Sequence, residues 1–77
     1  VSSDETIGIS PNPVRHTLFI EGADNHPYQY KIFDVNGSLV LKGMTDKSIN
    51  ISSMVPSIYF IQISQNKKTT IKKFIKI

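Results

Sequence analysis

The apolar residues of this chain come in short runs broken by turn residues, and nowhere do they recur at helical spacing between capping signals. Runs of about five to seven residues set apart by Gly, Pro, Asn, Asp and Ser are the pattern of an all-β fold. The chain has 77 residues, enough for one small domain. A domain of that size buries only about 60% of its unfolded surface, so its stability is expected to be marginal. The expected architecture is an Ig-like β-sandwich of about seven short antiparallel strands with Greek-key connections, with an open barrel as the competing arrangement. The Cys–Trp–Cys signature of immunoglobulin domains is absent, since the chain has neither residue type.

Ile7-Gly8-Ile9 reads as a short first strand. Pro11 and Pro13 have no N–H to give a ladder, so this segment is expected at a sheet edge or at a crossover between sheets. Thr17 to Glu21 reads as the second strand, with Leu18 and Ile20 facing one way. Gly22-Ala23-Asp24-Asn25-His26-Pro27 is loop by composition, and Tyr28 to Phe33 is the third strand. Asp34-Val35-Asn36-Gly37 is the clearest turn. Asn-Gly alone suggests a two-residue type I′ loop. Asp at the first position and Gly at the fourth fit a type I turn better, giving a three-residue loop with Gly37 left-handed in a bulge. That loop places Lys31 opposite Leu41 and Tyr30 opposite Lys42, whereas the shorter one sets Lys31 against Lys42. The fourth strand is then Ser38 to Lys42. Ser48 to Ser52 reads as a fifth strand with Ile49 and Ile51 inward, and Met54 to Ser57 as a connection with an apolar plug. Ile58 to Ser64, apolar on both faces at first, reads as a central buried strand, and Thr69 to Ile77 as the last.

Residues that could carry chemistry are scattered. Of the carboxylates Asp4, Glu5, Glu21, Asp24, Asp34 and Asp46, all but Glu21 fall in loops, turns or the N-terminal tail. They read as solvated turn residues and not as the paired acids of a glycosidase. His16 and His26 stand apart, without the ligand spacing of a zinc site. With no cysteine there is no disulfide framework, thiol nucleophile or thiolate metal site. No Gly-x-Ser-x-Gly element is present, and Gly8, Gly22, Gly37 and Gly43 are too dispersed for a phosphate loop. The chain is therefore expected not to be an enzyme and to use no cofactor or metal. Asn50-Ile51-Ser52 matches the glycosylation acceptor pattern but lies in an expected strand.

The formal charge is +3, and it is uneven: Lys67, Lys68, Lys72, Lys73 and Lys76 crowd the end, while Asp4 and Glu5 sit at the start. Only Phe74 is interleaved with those lysines, so a base-stacking platform for nucleic acid is not expected. Lysines on an apolar terminal strand protect it from pairing with other chains. No apolar run approaches the roughly 20 residues that span a bilayer, so membrane insertion is not expected. Val1-Ser2-Ser3-Asp4-Glu5 is polar and acidic, unlike a cleavable export signal. Val1 is not an initiating Met, so the chain is expected to be a piece of a longer protein with any export signal upstream.

The last strand is unusual. Most domains end in a polar, fraying tail, whereas Ile71, Phe74, Ile75 and Ile77 are apolar. Strict alternation puts Ile71, Lys73, Ile75 and Ile77 on one face and Lys72, Phe74 and Lys76 on the other. Neither face is cleanly apolar, so the expectation is either a bulge near Lys72 and Lys73 or a partly exposed Phe74.

Taken in order, Pro11-Asn12-Pro13, the Asp34-x-x-Gly37 turn, Tyr59 in Ile58-Tyr59-Phe60-Ile61 and the terminal Lys72-Lys73-Phe74-Ile75-Lys76-Ile77 resemble the C-terminal sorting domain of the type IX (Por) secretion system of Bacteroidota. The resemblance runs from about Ile7 to Ile77. The family's Gly-x-Tyr element is altered, with Ser57 in place of the glycine before Tyr59; were that position left-handed, serine would cost about 1 kcal/mol. The resemblance implies an address and not a catalyst. Residues 1–6 would be the linker remnant of an upstream cargo and residues 7–77 the sorting domain. The cargo, exported through the periplasm, would be passed to an outer-membrane translocon that recognises Lys72 to Ile77. A sortase-like peptidase would then cut in the linker and leave the cargo at the cell surface or outside. Removal of Phe74 to Ile77 is expected to abolish sorting yet leave a weakened, soluble fold.

Two other functions fit the same composition. One is a carbohydrate- or protein-binding module, although the chain has no Trp, and Tyr28, Tyr30 and Tyr59 are expected in the core or in cross-strand pairs. The other is a structural spacer, in which a Phe33, Leu39 and Leu41 face packs on a neighbour or open sheet edges pair into a homodimer.

Overall fold

The computed structural model describes residues 7–22, 27–45, 47–65 and 68–77. Its elements are β1 (Gly8–Ser10), β2 (Thr17–Glu21), β3 (Tyr28–Phe33), β4 (Leu39–Thr45), β5 (Ser48–Asn50), β6 (Ser57–Gln65) and β7 (Lys68–Lys76). They form a three-stranded sheet in the order β1-β2-β5 and a four-stranded sheet in the order β4-β3-β6-β7. Every strand pairing is antiparallel. Two separate sheets make the fold an Ig-like sandwich and not a barrel. β3 lies beside β6 although β4 and β5 intervene, a Greek-key arrangement. In the constant-type immunoglobulin sandwich the fourth strand joins the first sheet; here β4 stays beside β3. No helix among the described residues is long and apolar enough to cross a membrane.

The core lies between the sheets. Leu18, Ile20 and Ile49 reach it from the small sheet, and Tyr28, Ile32, Tyr59, Ile61, Ile63 and Phe74 from the large one, all buried. These residues alternate along their strands, as period-two geometry requires. Ile51 follows β5 and is buried too; its N–H donates to the His16 carbonyl (2.9 Å). The apolar plug is Met54, which packs against the core, while Val55 points to solvent. β6 is central, as its composition suggests, but it is not covered on both faces: Ile58 is exposed and Phe60 only half-buried.

The hairpin between β3 and β4 shows how local chemistry and sheet packing divide the work. Asp34 Oδ1 accepts the N–H groups of Asn36 (2.9 Å) and Ser38 (3.0 Å), and the Gly37 N–H donates to the Asp34 carbonyl (3.0 Å). Gly37 has φ +85°, so the expected three-residue loop forms. The expected pairing further along does not. Phe33 faces Leu39, but the register then shifts, and Ile32 faces Leu41, Lys31 faces Lys42 and Tyr30 faces Gly43. Val40 is the extra residue of a bulge. The bulge turns Leu41 onto the core side, away from the face it was expected to share with Phe33 and Leu39. It also seats the Tyr30 ring against Gly43, where an added Cβ would lie 3.0 Å from the Tyr30 hydroxyl. The like charges of Lys31 and Lys42 end up opposed, but both side chains are solvated, which keeps the repulsion small.

Candidate recognition site

The terminal strand differs from both alternatives read from its sequence. β7 pairs with β6 in one unbroken register from Gln65–Lys68 to Ser57–Lys76, with no bulge near Lys72 and Lys73. Phe74 is fully buried, and its ring stacks on Tyr59, its cross-strand partner, at 5.7 Å and 27°. The physical reason is that ladder partners share a face. Tyr59, Ile61 and Ile63 of β6 point into the core, so their partners Phe74, Lys72 and Thr70 point inward as well. A one-residue slip would flip every side chain of β7 and take Phe74 out of the core.

Lysines can occupy that inner face because β7 is the edge strand of its sheet. Lys72 is half-buried and Lys76 buried on that face, as long side chains with apolar stems allow. Lys76 is buried, and its ammonium donates to the Ile77 main-chain oxygen (2.9 Å). Ile71, Lys73, Ile75 and Ile77 are left on the outer face, exposed.

The other edge of β7 meets the proline segment. Val14 is buried and forms a parallel bridge with Lys76. Its N–H donates to the Ile75 carbonyl (2.8 Å), and its carbonyl accepts the Ile77 N–H (2.9 Å). One turn back, the Asn12 side chain behaves like a peptide group. Its Oδ1 accepts the Ile75 N–H (2.9 Å), and its Nδ2 donates to the Lys73 carbonyl (3.3 Å). Pro11 and Pro13, both preceded by cis peptide bonds, cannot donate, and the amide between them supplies the missing donor. The segment leaves β1 in the small sheet and reaches the large one at Val14, so it is the expected crossover. The structure thus brings together Asn12 and the terminal Lys73–Ile77 run, elements far apart in sequence. Sequence reading singled out both but did not join them, and it missed Val14. The available sign was an amide side chain between two residues that lack N–H groups.

Tyr59 has a second task. Its hydroxyl donates to the Val55 carbonyl (2.6 Å), tying the entry loop to β6 as the tyrosine corner of Ig-like sandwiches does. Ser57, in the position of the family's glycine, is an ordinary strand residue paired with Lys76, so no left-handed conformation is demanded of it. Asp34 and Gly37 lie in their own turn, apart from this cluster.

Some other polar side chains are hydrogen-bonded away from this cluster. Asn50 Oδ1 accepts the Ser52 N–H (3.0 Å) and hydroxyl (2.7 Å). The Ser10 hydroxyl donates to Glu21 Oε2 (3.3 Å). His16 is exposed, and no cluster of metal-ligating side chains occurs among the described residues. Asp4, Glu5, Asp24, His26, Asp46 and Lys67 lie outside the described residues. The outer face of the large sheet carries an open hollow of 380 Å³ lined by Gln29, Lys31, Lys42, Met44, Gln62 and Ser64, with Tyr30 and Gly43 at its floor.

An Ig-like sandwich whose last strand is bound into the fold by an early proline segment is the class of protein these features define. The family model of the secretion system C-terminal sorting domain matches residues 8–77. The chain belongs to that family, whose members are C-terminal sorting signals for type IX secretion. The family is a non-catalytic signal, it interacts with the type IX machinery, and it marks a secreted protein for passage across the outer membrane. No curated protein matches the chain.

Proposed function

We propose that residues 7–77 are read as a folded address, with Lys72 to Ile77 as the segment that the outer-membrane translocon recognises. Pro11, Asn12, Pro13, Asp34, Gly37 and Tyr59 hold the framework that presents it. The observation that carries this reading is the double anchoring of β7, through Phe74 to the core and through Asn12 and Val14 along its edge. A tail read as a loose peptide has no use for such anchoring. Residues 1–6 then serve as the linker to an upstream cargo, cut by a sortase-like peptidase after transit through the periplasm. The cargo ends on the surface or outside a Bacteroidota cell, and any catalytic activity resides in it. A homodimer through sheet edges would find the Lys73–Ile77 end of β7 taken by Asn12 and Val14, which leaves β1 and β5 of the small sheet and β4 of the large one. The Val40 bulge and Lys42 disfavour pairing at β4.

The test is export of a periplasmic reporter fused ahead of this chain, in a host with and without a working type IX translocon. Translocon-dependent appearance of the reporter outside the cell is the expected result. A reporter retained in the periplasm of the intact host contradicts the reading.

A further inference from the structure

Cross-strand registers assemble the outer face of the large sheet into rows. One row runs Leu39, Phe33, Phe60, Lys73 across all four strands. On one side of it lies the pair Ile58 and Ile75, and on the other the row Lys42, Lys31, Gln62, Ile71. Ile71 is 64% exposed, Leu39 47%, Ile58 40% and Ile75 39%, while Phe33 and Phe60 are half-buried between their neighbours. The result is a contiguous apolar strip on a sheet face that nothing in the described chain covers. Strips of that kind mark interaction surfaces.

The charges around the strip are all of one sign. Lys31, Lys42 and Lys73 share the face, and no carboxylate lies on it among the described residues. Glu21 is on the other sheet, and Asp34 spends its carboxylate on the turn. A second copy docked on this face by two-fold symmetry would oppose lysine to lysine. A bilayer is a poorer match than a protein, because Phe33 and Phe60, the aromatic side chains of the strip, are half-buried and offer little ring surface for insertion.

We infer that the outer face of the β4-β3-β6-β7 sheet is the surface through which the sorting machinery grips this domain. Its partner is a protein surface with apolar side chains bordered by carboxylates. This rests on the sorting reading and refines it: the groups read on β7 are Ile71, Lys73, Ile75 and Ile77, while Lys72, Phe74 and Lys76 act from inside the fold.

The test uses the reporter fusion with three sets of substitutions. The first is I71S/I75S, the second is K31E/K42E/K73E, and the third is the control Phe19→Ser, an exposed residue on the outer face of the small sheet. Thermal midpoints of the purified chains report folding. Solvent-exposed lysines can be reversed without emptying the core, so the second set keeps the test open even if the first fails to fold. Translocon-dependent export should fall about tenfold or more in the first two sets, with folding retained, and stay at the parent level for Phe19→Ser. Parent-level export of the folded first two sets overturns the inference and leaves the sorting reading intact. Failure of the parent fusion to be exported removes both. Self-association of the chain in sedimentation, or flotation with anionic vesicles, that is lost in I71S/I75S would assign the face to a second copy or a lipid surface instead and also overturn it.

Discussion

The two edges of the four-stranded sheet follow opposite designs. β7 keeps one register along its whole length, and the Lys73–Ile77 end of its outer edge is filled by Asn12 and Val14. β4 is bulged at Val40, shifts register beside the turn, and sets two lysines face to face. A bulged, charged edge resists pairing with other chains. A filled edge has no need of such protection, so the lysines near that end of β7 are free for other uses: Lys72 and Lys76 sit on the core side and Lys73 stands on the outer face. The comparison teaches that a charged residue on an edge strand says little until the occupancy of that edge is known.

The largest effect should come from the β7 side. Phe74→Ala removes a fully buried ring stacked on Tyr59 and should cost about 3–5 kcal/mol in denaturant unfolding. The same burial changes the expectation for removal of Phe74 to Ile77. That deletion strips the core of this ring and Val14 of both its ladder bonds, so loss of fold should accompany loss of sorting. Far-ultraviolet circular dichroism of the truncated chain decides the matter, and a cooperative native-like transition would speak against it. Next is Gly37→Ala, at about 1–2 kcal/mol, from the left-handed backbone alone, since a Cβ there meets nothing within 4 Å. Asn12→Ala should cost about 1 kcal/mol through the loss of its two bonds to β7. Equal loss from alanine at the exposed Asn36 would show that the edge clamp has no special value. On the β4 side the sign reverses. Lys42→Glu turns a repulsive cross-strand pair into an attractive one and should stabilise by about 0.2–1 kcal/mol, less at high salt. Ile71→Ser should be smallest, within about 0.5 kcal/mol, because the side chain is mostly in solvent.

Strand positions were legible because each apolar run is short and bounded by turn residues; Thr17–Glu21 and Tyr28–Phe33 match residue for residue. The loop at Asp34–Gly37 was legible because Asp and Gly act on their own backbone, within a few residues. Legibility stopped where a choice depended on distant partners. The Val40 bulge settles Leu41 into the core and Tyr30 over Gly43, neither of which the hairpin sequence encodes. The alternation sorted β7 into the two faces observed, but which of them turns inward follows from Tyr59 and Ile61 on the neighbouring strand and not from the three isoleucines of the other face. In the proposed recognition segment, Lys72 to Ile77 stood out by composition, while its clamp did not, because Asn12 and Ile75 are 63 residues apart.

The central claim is that the last residues are part of the folded edge and not a loose tail. The backbone N–H groups of Ile75 and Ile77 test it most directly, since both point away from β6 and are held by Asn12 and Val14 alone. Their hydrogen exchange can be followed residue by residue in the intact chain. The clamp predicts protection at both positions close to that of Ile61 in the sheet centre, with Ile75 losing most of it in Asn12→Ala. Exchange of both amides at the rate of an unstructured peptide would contradict it.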